Sequence, residues 1–198
     1  MINNILVLGL GKVGTLVATL LSESGFKVTG IDSTEKNEDK FSTIAGDVSD
    51  KNFIANHIKK NDAVVSCLPY HLNKNIVTIA HKNSVHYFDL TEDVPTADYI
   101  QELAETADSV LAPQCGLAPG FIGIVGASLA RKFKKLRSIE LRVGALPQSP
   151  KGYLGYAFNW SAEGVVNEYL NDCKIVAEGD IKNVPAMQDL EKIIINGV

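Results

Sequence analysis

Three glycines near the amino terminus have the spacing of a phosphate-binding turn. They follow a short apolar run at residues 5–8 and precede an amphipathic stretch, so the sequence predicts a strand, a tight turn and a helix in that order. We expect Gly9 to turn the chain, Gly11 to let a diphosphate approach the backbone, and Gly14 to let the helix pack closely on the sheet. Unpaired N–H groups of the first helical turn would bind the phosphates. The predicted phosphate-binding residues are Gly9, Gly11, Lys12, Val13 and Gly14.

An acidic residue, Asp32, ends the second predicted strand, which spans 26–31. Its carboxylate would accept hydrogen bonds from both hydroxyls of an adenosine ribose. Ser33, Thr34 and Lys36 offer an alternative, because these side chains have the chemistry to hold a 2′-phosphate. Since Asp32 would repel that phosphate, the sequence predicts NAD as the cofactor in preference to NADP. In a purely structural interpretation the glycines serve packing and Asp32 caps a turn.

Asp47 and Val48 follow the third predicted strand, at residues 41–45. A loop at this position would lie beside the adenine, where Asp47 would bind the exocyclic amine and Val48 would cover the ring. Alternatively, Asp47 caps the helix that is predicted to start near Asn52. Both interpretations remain open from the sequence.

The fourth predicted strand, at residues 62–68, leads into a phenol and an imidazole. In an open parallel sheet, a loop after this strand faces the nicotinamide half of the cofactor crevice. Tyr70 and His71 would therefore bind substrate or move protons, unless Tyr70 only covers the cofactor and His71 only begins a helix. Cys67, Leu68 and Pro69, which precede them, are predicted to line the cofactor site.

The fifth predicted strand, at residues 85–90, carries Asp89 and is followed by Glu92 and Asp93. Asp89 would orient an ammonium group of a substrate, or it would be one of the acids that cap the next helix. For Glu92 and Asp93 we favour capping of the helix predicted over residues 96–108.

The regular alternation of strands and helices ends after a sixth predicted strand at residues 109–112. Cys115 would lie near the nicotinamide as a cofactor contact, or it is simply a small buried residue. Pro119 and Gly120 introduce a helix predicted over residues 121–132, and its first N–H groups are expected to face the crevice. A half-exposed strand over 137–144 and a hairpin turning at Gly179 complete the predicted elements.

These elements predict an α/β fold: a doubly wound parallel sheet of the Rossmann type, followed by the start of an α+β substrate domain. The net charge of −4 and the lack of a basic cluster argue against a nucleic-acid partner. No apolar run is long enough for a membrane span. Three scattered cysteines favour reduced thiols in a cytoplasmic protein, and the histidines lack metal-ligand spacing, so no metal site is expected.

Several motifs together resemble the saccharopine dehydrogenase family, and within it the L-lysine 6-dehydrogenase branch. The resemblance covers nearly the whole chain, and its later motifs are more specific than the glycines. The motifs are residues 9–14, 68–70, 115–120, 144–150, 154–164 and 167–169. The resemblance implies oxidation, with a nicotinamide cofactor, of the carbon that bears the ε-nitrogen of lysine or saccharopine. Hydrolysis of the resulting imine would give aminoadipate semialdehyde.

The resemblance also implies a site and a domain plan. A proton acceptor is needed for such chemistry, and the candidates by position are Tyr70 first, then His71 and Asp89. Members that form glutamate usually have Asp where this chain has Ala118, which favours the lysine branch. We expect a cofactor domain at 1–118 and an incomplete substrate and dimerisation domain at 119–198, an amino-acid substrate, and a homodimer of the full-length protein.

A different class of function remains an alternative. Nucleotide-sensing regulatory domains of potassium channels also open with a glycine turn and carry Gly-Asp after the third strand, as Gly46 and Asp47 do here. Such a domain would bind NAD without catalysis. The turn at residues 69–71 and the whole stretch after Cys115 argue against it.

Overall fold

The computed structural model of the protein describes residues 2–144, 147–153, 155–158, 161–188, 190–192 and 194. The chain divides into two compact units, Met1–Ala145 and Leu146–Val198. Parts of the motifs around 145, 154 and 160 lie outside the described residues. The predicted domain division after residue 118 rests on sequence motifs and stays a prediction.

The first unit alternates strands and helices. Its strands are β1 (Asn4–Leu8), β2 (Lys27–Asp32), β3 (Ser42–Ala45), β4 (Ala63–Ser66), β5 (His86–Asp89) and β6 (Leu111–Ala112). Its helices are α1 (Lys12–Glu23), α2 (Lys51–Ile58), α3 (Tyr70–Lys82), α4 (Val94–Ala104) and α5 (Phe121–Ala130).

All six strands form one parallel sheet in the order β3-β2-β1-β4-β5-β6. The chain moves outward from β1 through β2 to β3 and then returns to β4 on the other side of β1. The strand order therefore reverses between β1 and β4, and open parallel sheets bind ligands in a crevice at the carboxyl ends of the strands at such a point. The predicted Rossmann-type fold class is confirmed.

Two apolar layers cover the sheet because successive residues of β1 point to opposite faces. Leu6 and Leu8 pack on one face with buried side chains of α2, α3 and α4. Ile5 and Val7 pack on the other face with Ala18 of α1. A central strand that is apolar on both faces is typical of a parallel sheet covered by helices.

Three local elements differ from the sequence predictions. Helix α3 begins at Tyr70, so Tyr70 and His71 lie in a first helical turn rather than in a loop. Helix α4 begins at Val94 and ends at Ala104, earlier than predicted. Residues 137–144 form no strand and are exposed.

The second unit contains a helix, α6 (Ala162–Leu170), and a two-stranded antiparallel sheet of β7 (Cys173–Ala177) and β8 (Asp180–Val184). Glu178 and Gly179 both have positive φ, which is the backbone of a two-residue hairpin turn and confirms that prediction. Helix α6 was not predicted. Within the described part of the chain, no helix has the length and apolar character required to cross a membrane.

Candidate cofactor site

The glycine turn after β1 has the geometry that the spacing predicts. Gly9 has a φ of +84°, which favours glycine, and its N–H donates to the Ile31 carbonyl at 2.8 Å. A Cβ at Gly14 would lie 1.8 Å from the Gly9 carbonyl oxygen, so only glycine lets α1 start this close to the turn. At Gly11 a Cβ would meet no atom within 4 Å, which leaves open space beside the backbone.

The helices at the crevice begin differently from their neighbours. Helices α2 and α4 start with Asp50 and Asp93, whose carboxylates accept hydrogen bonds from first-turn N–H groups. No described side chain caps α1 or α3, the two helices that follow β1 and β4. The first N–H groups of α1 therefore remain for a ligand, whereas in α3 the Leu72 N–H donates to the Pro69 carbonyl at 3.1 Å. The positive end of the helix dipole favours a negative ligand. This arrangement fits the diphosphate of a dinucleotide, with exposed Lys12 and Val13 in the first turn of α1.

Asp32 lies at the carboxyl end of β2 and holds the glycine turn. Its Oδ2 accepts a hydrogen bond from the Leu10 N–H at 2.8 Å, and its Oδ1 accepts from the backbone N–H and the hydroxyl of Thr34. Burial raises the pKa of Asp32, but the bonds from Thr34 and Leu10 and the charge of Lys36 outweigh burial and lower it. The carboxylate is therefore ionised at neutral pH and half-exposed, as binding of a ribose requires.

The loop after β3 distinguishes the two interpretations of Asp47. The acid that caps α2 is Asp50, which accepts from the N–H groups of Asn52 and Phe53 at 2.8 and 3.1 Å. Asp47 instead accepts from the Ser49 N–H at 2.8 Å and is exposed, while Val48 packs partly against the core. Capping by Asp47 is thus wrong, and an adenine contact through Asp47 and Val48 stays a prediction.

The segment after β4 borders the glycine turn. The Cys67 carbonyl and the Leu68 side chain lie beside Gly9, where a Cβ would approach each to 3.0 Å. Burial, with a smaller effect of Asp89, raises the pKa of Cys67 to about 11, so its thiol is neutral at pH 7. Pro69 is exposed and immediately precedes α3. Cys67 and Leu68 therefore form a wall of the crevice.

Tyr70 and His71 share the first turn of α3, with their rings edge to face at a centroid distance of 6.0 Å. Tyr70 is half-buried and His71 is exposed. Both side chains lie just beyond the carboxyl end of β4, where the sequence places them. Their role in proton transfer stays a prediction.

Asp89 does not fit the predicted contact with a substrate. It is 0% exposed, and its carboxylate accepts four hydrogen bonds from the protein. A carboxylate has about four acceptor positions, so no position remains for a substrate ammonium group. The prediction of Asp89 as a substrate-orienting acid is therefore wrong. The capping role predicted for Asp93 is confirmed, since its Oδ2 accepts from the Thr96 N–H at 3.0 Å.

The loop before α5 also departs from expectation. The N–H groups of Phe121 and Ile122 donate to the carbonyls of Gly116 and Leu117, so these N–H groups are not free to face the crevice. Cys115 is exposed rather than buried, and its thiol donates weakly to the Ala112 carbonyl at 3.4 Å. Partial desolvation by the surrounding protein, followed by the charge of Asp89, raises the pKa of this thiol above its usual value. A cofactor contact by Cys115 stays a prediction.

Sequence reasoning missed the buried residues that surround Asp89. Ser66 and Asn73 are buried polar residues, and Asn73 occupies the core-facing side of α3 together with Ile76, Val77 and Ala80. A polar residue at a helical position otherwise reserved for apolar side chains was the available signal. Among the described residues, no group of three or more metal-binding side chains is close enough to hold an ion.

Comparisons with known proteins cover both parts of the chain. The family model of the saccharopine dehydrogenase NADP binding domain matches residues 5–112, and that of the saccharopine dehydrogenase C-terminal domain matches residues 116–197. The first of these two models is named for NADP, whereas the sequence predicts NAD.

Curated relatives carry the same name. The saccharopine dehydrogenase [NADP(+), L-glutamate-forming] of Pyricularia oryzae is 26% identical over 91% of this chain and 43% of its own length. That of Saccharomyces cerevisiae is 28% identical over 91% of this chain and 44% of its own length. The chain therefore spans less than half the length of these relatives.

A solved structure agrees in fold. The apo histidine-tagged saccharopine dehydrogenase (L-Glu forming) from Saccharomyces cerevisiae superposes with a TM-score of 0.67 at 22% identity, covering 98% of this chain and 48% of that one.

Proposed function

The chain belongs to the saccharopine dehydrogenase family, and we propose that it is the cofactor-binding part of an oxidoreductase that acts on the C–N bond at the ε-carbon of a lysine-derived amine. The strongest support is the joint geometry of Asp32 and the uncapped start of α1 at the point where the strand order reverses. The match over residues 116–197 argues against the channel-type regulatory domain.

We propose that different residues of the chain bind the two halves of a dinucleotide. Asp32 would accept hydrogen bonds from the adenosine ribose, and the first N–H groups of α1 would bind the diphosphate. A nicotinamide held beyond β4 would accept the hydride that leaves the substrate carbon. Tyr70 and His71 would take the proton of the substrate amine and activate the water that attacks the imine.

For the cofactor, the relatives and the side chains of this protein point in different directions. The relatives are named as NADP-dependent, and the matching family domain is named for NADP binding. Asp32, however, is an ionised carboxylate at the position proposed for the adenosine ribose, and its charge would repel a 2′-phosphate bound there. We therefore propose that this chain binds NADH more tightly than NADPH, unlike the relatives that it resembles.

For the substrate, saccharopine is the first candidate because the relatives named above are glutamate-forming saccharopine dehydrogenases. Free lysine is the second candidate because the sequence resemblance implies Asp, in members that form glutamate, at the position of Ala118. In both cases the product after hydrolysis would be aminoadipate semialdehyde. Homodimerisation of the full-length protein is a separate proposal, which sedimentation of that protein tests.

Calorimetric titration with NADH and with NADPH tests the cofactor proposal directly. We expect tighter binding of NADH by about tenfold, since a carboxylate beside a phosphate costs more than 1 kcal/mol. The oxidation assay then follows the absorbance of the reduced cofactor with saccharopine and, separately, with lysine. A protein that binds neither dinucleotide would overturn the proposed function, and tighter binding of NADPH would overturn the cofactor choice alone.

A further inference from the structure

The carboxylate of Asp89 is the centre of a buried hydrogen-bond network. Its Oδ2 accepts from the Tyr87 hydroxyl at 2.7 Å and from the Asn73 amide at 3.1 Å. Its Oδ1 accepts from the backbone N–H groups of Thr91 at 3.0 Å and Gln114 at 3.1 Å. Every acceptor position is used, so Asp89 acts on its surroundings through its partners and not by touching a ligand.

One arm of this network reaches the first turns of α3. Asn73 donates to Asp89 and at the same time accepts from the Ser66 hydroxyl at 2.7 Å. Ser66 is the last residue of β4, and Asn73 lies one helical turn after Tyr70. The helix start that carries Tyr70 and His71 is therefore fixed to the ends of β4 and β5 by buried hydrogen bonds.

The other arm holds the loop that follows β6. Gln114 has a φ of +62°, a backbone region that is uncommon for residues other than glycine and that persists only when surrounding contacts enforce it. Its N–H is bound by the Asp89 carboxylate, and the N–H of Cys115 donates to the Asp89 backbone carbonyl at 2.7 Å. Asp89 thus holds Gln114 at its positive φ, and this conformation sets the position of Cys115.

We infer that Asp89 is a positioning residue for the nicotinamide half of the crevice, because its buried carboxylate joins the helix turn of Tyr70 and His71 to the loop of Gln114 and Cys115. This inference rests on the proposed dinucleotide site. The adenosine half depends on Asp32 and the glycine turn, which share no hydrogen bond with this network among the described residues. Loss of the network should therefore weaken contacts to one half of the cofactor only.

An exchange of the two buried side chains tests this role. Asp89→Asn replaces one carboxylate oxygen with an NH2 group, so both donors to that oxygen lose their acceptor. The double variant Asp89→Asn with Asn73→Asp keeps one carboxylate and one amide in the pair and reverses the donor of their hydrogen bond. Asn73→Ala removes the α3 arm and leaves the carboxylate with three donors, which makes it a milder second variant.

Each variant is titrated with ADP and with whichever of NADH and NADPH the wild-type chain binds more tightly. We expect Asp89→Asn to weaken the reduced dinucleotide about tenfold and ADP less than about twofold, and the exchange variant to recover most of the difference. Asn73→Ala should show the same selectivity with a smaller loss, and it carries the test if Asp89→Asn does not fold.

Equal losses for ADP and the dinucleotide, or no recovery in the exchange variant, would show that Asp89 serves stability alone and would overturn the inference. That result leaves the proposed function intact. A wild-type chain that binds ADP but no dinucleotide would instead contradict the proposed function, and the inference with it.

Discussion

Asp32 and Asp89 occupy the same place in the sheet, since each is the last residue of a parallel strand, but they meet opposite environments. Asp32 is half-exposed, and its hydrogen bonds and the charge of Lys36 lower its pKa against the effect of burial. Asp89 is fully buried, and burial raises its pKa although Tyr87, Thr91 and Gln114 donate to it. The end of a strand therefore supplies a place for a carboxylate but does not decide what the carboxylate does.

The elements around each residue explain the difference. β2 is followed by residues 33–41, which form no helix, and Ser33 and Thr34 are exposed. β5 lies between β4 and β6, and the loop at Gln114 lies close enough to bond Asp89. One carboxylate thus remains open to a ligand, while the other is enclosed by its own chain.

The largest expected contrast is in stability. Asp89→Ala leaves four donors without their acceptor, two of them side-chain groups of buried Tyr87 and Asn73. We expect a loss of about 3 kcal/mol or more in the free energy of unfolding, because each unsatisfied buried donor costs about 1–3 kcal/mol. Urea unfolding followed by circular dichroism measures it. Asp32→Ala is the matched control and should lose less than half as much free energy of unfolding. Equal losses in the two variants would contradict the different roles of the two acids.

The next contrast is in cofactor binding. Asp32→Ala removes the proposed acceptor for the adenosine ribose and should weaken NADH about tenfold, since hydrogen bonds to charged groups contribute roughly 1.5–3 kcal/mol. NADPH should be affected less, because the repulsion of its 2′-phosphate disappears together with the carboxylate. Calorimetry with both dinucleotides gives the ratio. A ratio unchanged by the substitution would mean that Asp32 does not face the ribose.

Removing one hydrogen-bond donor from each of the two acids should change stability less, and by different amounts. Tyr87→Phe removes one buried donor to Asp89 and should cost about 1 kcal/mol of stability. Thr34→Val removes a donor to Asp32 at an exposed position and should cost only about a few tenths of a kcal/mol of stability. The difference between the two urea midpoints is the relevant measurement. A larger loss at Thr34 would contradict the assignment of Asp89 as the structural acid.

The smallest effect is on the pH dependence of stability. The raised pKa of Asp89 means that the folded protein binds more protons than the unfolded chain between 3.8 and that pKa, so this group lowers stability as pH rises through the window. The lowered pKa of Asp32 has the opposite sign: its contribution is lost as pH falls below 3.8. Urea unfolding across the acidic pH range measures both contributions. The fall in stability with rising pH that comes from Asp89 should vanish in Asp89→Asn, and the loss of stability with falling pH that comes from Asp32 should vanish in Asp32→Asn. An unchanged pH dependence in these variants would contradict the two pKa shifts.

Much of the architecture could be predicted from the sequence because it depends on local requirements. A turn with a φ of +84° at Gly9 and a helix start that excludes any Cβ at Gly14 need glycine at those positions, so the spacing itself carries the information. The alternation of short apolar strands with helices is likewise readable along the chain and indicates a parallel sheet.

The roles of the chemically interesting side chains were harder to predict. The sequence placed Tyr70, His71 and Asp89 at the same edge of the sheet, and the structure agrees on that edge. It did not indicate that Asp89 would be enclosed, or that the first N–H groups of α5 would be bonded to Gly116 and Leu117.

The sequence by itself determined the sheet, the glycine turn and the position of Asp32, because each depends on residues that are neighbours or follow a short period. Only the tertiary structure decided that Asp89 is a buried support, since its partners Asn73 and Gln114 stand 16 and 25 residues away along the chain. Burial depends on which distant segments cover a side chain, and it is burial that separates an acid available to a ligand from one that holds the protein together.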